Sequence, residues 1–271
     1  MGVVFKNSEF INENDLIIKG SNRAFNYGDG FFETIKIVAR KPFNLSAHYL
    51  RYCFACSVLK LDNRESESSL LSLILELIKQ NNVVDGSVKI HVSRSGDGKY
   101  LPDSSVSEIF ITANNGSEFE INKPMSLCIF SDEVKAKGKL SNVKSINALV
   151  SVLGAMYAKE KGFDNAILQN VDANYIETSN SNLFIVKKGS IYTPPLSDGC
   201  VDGTMRNWIF KQENVIEKSL SLTDLQEADE VFLSSAISGI LPVSKVDKIS
   251  FITFRYAEKL QKKLINLSLG L

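Results

Sequence analysis

Four groups in this chain carry functionality that chemistry could use. Lys144, in NVKSINALVSVLGAMYAKE, closes a polar turn just ahead of an apolar run. Its amine is a nucleophile once deprotonated, although a lysine at such a place is ordinarily a solvated surface residue. Glu177, in NYIETSNSNLF, ends a short strand-like stretch and is followed by a polar run, which reads equally well as a turn. In DGTMRNW, Gly203 and Thr204 lead into a helical pattern whose first backbone N–H groups have no helical acceptor and suit an anion, though many helices begin this way without a ligand. Arg51, in HYLRY, lies on a helical stretch that also carries His48, and by default it is an exposed arginine. Each group is weak evidence alone; their order along the chain is the signal.

The elements that must position them follow from periodicity and turn residues. From Asp15 to Ile37, short apolar runs alternate with turn residues, and FFETIKI after the glycine turn YGDG alternates as a half-buried strand does, so this part reads as strand, tight turn, strand. Ser46–Leu59 and Glu67–Gln80 repeat apolar residues at helical spacing. SVKIHVSR and EIFITA read as two more strands around the loop SGDGKYLPDSS. The polar stretch NNGSEFEINKP, 114–124, is the best linker, which predicts an α+β N-terminal domain over 1–117 and a C-terminal domain over 118–271. The latter should hold a strand MSLCIF, a helix from about Ser145 to Lys161, and short strands through NAILQN, NYIE and NLFIVKKGSIYTPP. A helix opening at DGTMRNW, a strand EVFLSS and a C-terminal helix from about Thr253 complete it.

Composition narrows the function classes. Of 271 residues, 31 are Lys or Arg and 31 are Asp or Glu, so no overall field favours nucleic acid or an anionic membrane. Apolar stretches are broken by charge well before membrane-spanning length and the N-terminus has no leader pattern, so a cytoplasmic protein is expected. Cys53 and Cys56 form a C-x-x-C, but there is no second such pair and the histidines are His48 and His91 alone. Packing on a helix explains that pair better than a metal, and no metal is expected.

Together the four groups are the parts that a pyridoxal 5'-phosphate site requires. The cofactor's aldehyde needs a lysine amine, and its pyridine nitrogen needs a carboxylate that keeps it protonated. Its phosphate needs a bidentate cation and helix-terminal N–H groups. Lys144, Glu177, Arg51 and the Gly203–Thr204 turn would supply them. The chain also resembles the class IV aminotransferases, the fold-type-IV pyridoxal phosphate enzymes, through NRAFNYGDGFFETIKI, HYLRY, KSINALVSVLGAMYAKEKGFDNAIL, YIETSNSNLFIVKKGSIYTPPL, GTMRNWIF and EVFLSSAISGILPV, in the family's order and spacing. The resemblance implies a two-domain fold like that of D-amino-acid aminotransferase, with a small N-terminal domain and a larger C-terminal domain rich in short strands. It makes Lys144 the Schiff-base lysine, Glu177 the partner of the pyridine nitrogen and Arg51 a phosphate ligand, with Thr204, Met205, Ser235 and Ala236 lining the phosphate cup. It also implies a homodimer.

The family includes branched-chain and D-amino-acid aminotransferases, amine transaminases and 4-amino-4-deoxychorismate lyase. The expectation is an aminotransferase working between an amino acid and a 2-oxo acid. The alternative is the lyase, which releases pyruvate and 4-aminobenzoate; Met205 and Ala236 stand where many aminotransferases have threonines and lean that way. A catalytically silent binding module that keeps the fold is the remaining class. Substrate carboxylate recognition would fall to Arg94, Lys99 and Tyr100 in SRSGDGKYLPD, with Phe32 walling the pocket. Arg23 reads as structural, bracing the glycine turn through a salt bridge.

Overall fold

A computed structural model describes residues 2–270 and divides them into two compact units. The chain up to Glu118 forms the first, together with Val143–Asn147; Phe119–Asn142 and the chain from Ala148 onward form the second. The five-residue segment that holds Lys144 thus belongs to the first unit.

In the first unit the elements run β1 (Val3–Lys6), β2 (Glu9–Asn12), α1 (Arg23–Tyr27), β3 (Gly30–Val38), β4 (Lys41–Pro42), α2 (Leu45–Leu59), α3 (Glu67–Gln80), β5 (Gly86–Arg94) and β6 (Ser107–Asn115). Among the described residues, six strands pair antiparallel in the order β2-β1-β6-β5-β3-β4. Alternate residues Phe31, Ile35 and Ile37 of β3, Val88, Ile90 and Val92 of β5, and Ile109 and Ile111 of β6 share one core with the two long helices. Helix α3 meets it with Leu70, Ile74, Leu77 and Ile78, a clean helical stripe, and Ser66 caps its start by accepting from the Ser69 N–H. Helix α2 buries His48, Arg51, Tyr52, Ala55 and Cys56, so two polar residues occupy positions that periodicity reserves for apolar ones. Cys56 packs in this core, where burial pushes its thiol up to about 12, and Asn63 donates to the Cys53 sulfur.

The stretch between Asp15 and the glycine turn is not a strand. Arg23–Tyr27 forms a short helix: Asn22 caps its start by accepting from the Phe25 N–H, and it ends on Gly28 in the left-handed region at φ 65°. Arg23 braces this turn through Asp29 at 2.9 Å, and its Nη1 also donates to the carbonyls of Asp97, Gly98 and Lys99. Arg94, expected to meet a substrate carboxylate, is buried instead. Its Nε donates to Asp29 at 2.9 Å and its terminal nitrogens to the carbonyls of Leu59 and Lys60 at the end of α2. A helix C-terminus carries partial negative charge and unsatisfied carbonyls, and a guanidinium answers both.

In the second unit follow β7 (Met125–Lys135), α4 (Lys139–Asn142), α5 (Leu149–Lys161), β8 (Asn165–Asn170), β9 (Tyr175–Thr178), β10 (Asn182–Lys187) and β11 (Ser190–Thr193). Then come α6 (Thr204–Gln212), β12 (Val215–Glu217), α7 (Leu222–Gln226), β13 (Glu230–Ser235), β14 (Gly239–Val246), β15 (Ile249–Ser250) and α8 (Arg255–Leu269). The sheet runs β12-β11-β10-β13-β14-β7-β8-β9, and β9 also pairs with β10 where Asn182 faces Glu177. Strands β10, β13, β14, β7, β8 and β9 therefore form a closed circuit, which removes open edges. The β10–β11 hairpin turns through Lys188 and Gly189, both at positive φ, as the lysine-glycine step predicts.

Replacing Arg94 by Met should lower unfolding free energy by about 2–4 kcal/mol, since Asp29 loses one partner and the carbonyls of Leu59, Lys60 and Ser104 lose a donor. Equilibrium urea unfolding reads this directly; a loss below roughly 0.5 kcal/mol would show that the carbonyls find water instead.

Candidate active site

Lys144 is held on a sheet edge. Strand β4 pairs only with Ile37 and Val38, so the first residues of β3 have an open edge, and Lys144–Ile146 fills it. The Phe32 N–H donates to the Lys144 carbonyl at 3.0 Å and the Ile146 N–H to the Gly30 carbonyl at 3.1 Å, with Phe31 and Ser145 directly opposed. This pairing is why helix α5 starts at Leu149 rather than near Ser145: the preceding backbone is bonded to a strand. Gly30 makes the approach possible, since a Cβ there would lie 2.3 Å from the Val92 carbonyl oxygen and 2.8 Å from Ile146 Cδ1. Partly exposed, Lys144 carries its Nζ 4.4 Å from the centre of the Phe32 ring.

The next residue of β3 points into the core. Glu33, 1% exposed, receives Arg51 Nε at 2.7 Å on one oxygen and Arg51 Nη2 at 2.6 Å on the other, which also lies 2.6 Å from His48 Nδ1. His48 and Arg51 are three residues apart on α2 and so share its buried face. Burial alone would raise the Glu33 pKa, but the Arg51 charge and the hydrogen bonds from Arg51 and His48 outweigh it and bring it down to about 2. For His48, burial is the largest influence and lowers its pKa; the Glu33 carboxylate opposes this, and the Arg51 and Lys144 charges add to the lowering. The imidazole is accordingly neutral, donating from Nδ1 to Glu33. Arg51 is thus aligned by a buried carboxylate.

In the second unit, Glu177 lies where the strand circuit closes, facing Leu168 across to β8 and Asn182 across to β10. Its carboxylate, 5% exposed, forms an ion pair with Lys135 at the end of β7 and accepts the Val201 N–H at 2.9 Å. Asn182 donates to the Val201 carbonyl at 2.8 Å, and a Cβ on Gly203 would fall 1.8 Å from the Asn182 Oδ1. Glu177 and the Gly203–Thr204 turn, remote in sequence, are therefore one cluster. Helix α6 begins at Thr204 with Gly203 as its cap, and its first turn, with Thr204 and Met205, is buried. Ser235 ends β13 and Ala236 starts the turn to β14, where the Ser235 hydroxyl accepts the Ser238 N–H at 3.1 Å. Beside them Ser234, opposite Asn182 in register, has a buried hydroxyl with no hydrogen-bond partner among the described residues.

Lys99 and Tyr100 lie on the exposed loop that Arg23 ties down; Tyr100 is 92% exposed and its ring meets that of Tyr27. The part played by Lys135 is missed by sequence reasoning because its surroundings, EVKAKGK, look like a solvated charged run. The pairing of His48 with Glu33 has a signal in retrospect: polar residues on the apolar stripe of α2 require a buried charged partner.

Comparison with known proteins gives the family and the fold. The family model for amino-transferase class IV matches residues 30–246. The chain belongs to the class IV aminotransferases. A D-alanine aminotransferase of Staphylococcus epidermidis is 28% identical over 256 residues, covering 91% of this chain and 90% of that one. The branched-chain aminotransferase of Thermoproteus uzoniensis, solved with norvaline, superposes with a TM-score of 0.92 at 22% identity, covering 99% of this chain and 95% of that one. A Legionella pneumophila structure assigned as a 4-amino-4-deoxychorismate lyase superposes at 0.87 with 25% identity, covering 94% and 97%. Members of the family are pyridoxal-phosphate-dependent enzymes. The two-domain fold-type-IV architecture anticipated from the sequence is the one found.

A depressed carboxylate pKa stabilises the fold above its unfolded value and loses that contribution as pH falls to its folded value. For Glu33 the window runs from 4.5 down to about 2, and its full amplitude is about 3 kcal/mol. Glu33→Gln should lower stability at neutral pH, because Arg51 loses its counter-ion, and flatten the acid limb of the stability profile. Urea titrations of both proteins from pH 6 to 2 would refute the pairing if the two limbs were parallel.

Proposed function

We propose that this protein is a pyridoxal-phosphate-dependent aminotransferase that moves an amino group between an amino acid and a 2-oxo acid, with Lys144 as the cofactor-bearing lysine. The observation that carries the reading is the placement of Lys144: two backbone hydrogen bonds to β3 fix the residue and leave its long side chain over an aromatic ring. An amine that must first hold a cofactor and then move a proton needs a rigid base and a mobile end.

The residues fit the cofactor. A buried carboxylate fixed by two donors, a glycine that admits no side chain at a helix start, and a buried hydroxyl without a partner are a charge holder, a close-approach point and an unused donor. When bound, pyridoxal phosphate supplies an aldehyde that condenses with amines and a protonated ring that accepts the electron pair released at the substrate's α-carbon. Glu177 would hold the pyridine nitrogen. Arg51, Gly203, Thr204, Met205, Ser235 and Ala236 would hold the phosphate, Arg51 through its guanidinium and the others through backbone N–H groups and the Thr204 and Ser235 hydroxyls. Lys144 Nζ, as a free amine, would accept the proton from the substrate's α-carbon. Phe32 packs against the lysine and excludes water from one side, while Lys99 and Tyr100 offer donors to a substrate carboxylate.

A pyruvate-releasing lyase on the same framework is the second reading. Met205 and Ala236 support it, since neither side chain gives the phosphate a hydroxyl. A homodimer accords with the apolar stripe Leu149, Val152, Leu153 and Met156 exposed along α5, which is a poor surface to leave in water. No helix of the described residues is long and apolar enough to cross a membrane, and a cytoplasmic location completes the proposal.

The decisive measurement is the visible spectrum with added pyridoxal phosphate. Wild type should show a protein-bound cofactor band that Lys144→Ala lacks, and D- or L-amino acids should bleach it. Bleaching names the donor. A band that no amino acid bleaches favours the lyase, and no band at all removes both Lys144 and the cofactor from the assignment.

A further inference from the structure

The face of the first unit's sheet turned away from α2 and α3 carries Phe32, Thr34 and Lys36 from β3, Lys89 and His91 from β5, and Phe110 and Thr112 from β6. Two ammonium groups converge there on one ring. Lys144 Nζ lies 4.4 Å and Lys89 Nζ 4.6 Å from the centre of Phe32, so their separation cannot exceed the sum of those distances, about 9 Å. Like charges so close repel, and an aromatic face compensates only in part.

Lys89 is partly buried between Thr34 and Thr112, and among the described residues no carboxylate forms an ion pair with it. The Glu33 carboxylate lies on the opposite face, already held by Arg51 and His48. Glu108, farther along the same face, accepts from Asn22. His91, next along β5 on the same side, stacks on Phe110 at 4.2 Å; burial first, and then the Lys89 charge, bring its pKa down to about 4, so it adds no third charge at neutral pH. What results is an aromatic floor of Phe32, His91 and Phe110 with one cation standing beside the lysine proposed to do the chemistry.

We propose that Lys89 determines substrate specificity by binding a carboxylate of the amino-acid or 2-oxo-acid substrate while Lys144 acts at the amino-bearing carbon. This rests on the assignment of Lys144 above. An unpaired ammonium within about 9 Å of the reacting amine is placed for the acidic group of a small amino acid, and the ring between them supports the intervening carbons. The carboxylate is either the one on the amino-bearing carbon or a second one on the side chain, and the two make different patterns.

The test uses cofactor-loaded wild type, Lys89→Met and Lys89→Arg. The bound-cofactor band confirms loading in each, and thermal unfolding confirms folding; Lys89→Gln replaces the methionine variant if that fails to fold. Steady-state kinetics with donors bearing one or two carboxylates is paired with dissociation constants for the unreactive acids propionate and succinate, read from the cofactor's absorbance. Loss of a charge-assisted hydrogen bond should raise KM and the dissociation constant about tenfold or more in Lys89→Met with little change in kcat, and Lys89→Arg should restore most of it. An effect confined to dicarboxylates assigns Lys89 to the side-chain carboxylate; an equal effect on both classes assigns it to the common one. Constants within about twofold of wild type for every acid, with the band intact, overturn the proposal. A wild type without the band instead overturns the assignment of Lys144.

Discussion

The buried contact between Glu33, Arg51 and His48 is the constraint around which the first unit is organised. A carboxylate 1% exposed is tolerable only with its charge answered and its lone pairs filled, which Arg51 does bidentately and His48 completes. That requirement fixes the rotation of α2 about its axis, because both partners must face the sheet, and it fixes the register of β3, because a one-residue slip would turn the carboxylate outward. With Glu33 inward, Phe32 must lie on the other face, which is where Lys144 meets it. The ionic cluster thus sets the aromatic neighbour of the lysine without touching it.

The second unit solves a different problem. Its closed strand circuit is joined at Glu177 and Asn182, so the carboxylate sits at a backbone position specified from both sides. Asn182 then uses its amide to hold Val201, whose own N–H secures Glu177, and the same side chain leaves room for nothing larger than glycine at position 203. A loop, a seam and a helix start are locked by one asparagine. Rigid elements beneath functional groups hold geometry better than loops do, and here a loop acquires that rigidity from a strand.

Much of this was legible in the residues. The two long helices of the first unit, the strands SVKIHVSR and EIFITA and the lysine-glycine hairpin all follow from periodicity and turn chemistry, which are local properties. The ordered motifs brought Lys144, Glu177 and the Gly203–Thr204 turn forward as a set. Interactions decided by tertiary placement were not legible. Arg94 is expected at a substrate carboxylate and Arg51 at a phosphate, yet the first caps α2 and the second is bound to a buried glutamate. Lys135 and Lys89 are ordinary in sequence, and only pairing across strands reveals what they face. The segment at Lys144 was read as a helix start because its residues suit one, but hydrogen bonds to a strand from far upstream outweigh that local preference.

The return of Val143–Asn147 to the first unit gives the chain an unusual itinerary during synthesis. The N-terminal segment reaches Glu118 with its sheet edge at Gly30–Phe32 still open and without Val143, which belongs to its core. Both are supplied only after Phe119–Asn142, a stretch of the other unit, has emerged. Completion of the first unit is therefore tied to translation of the second, and cutting the gene after Glu118 would yield a fragment lacking the segment that carries Lys144.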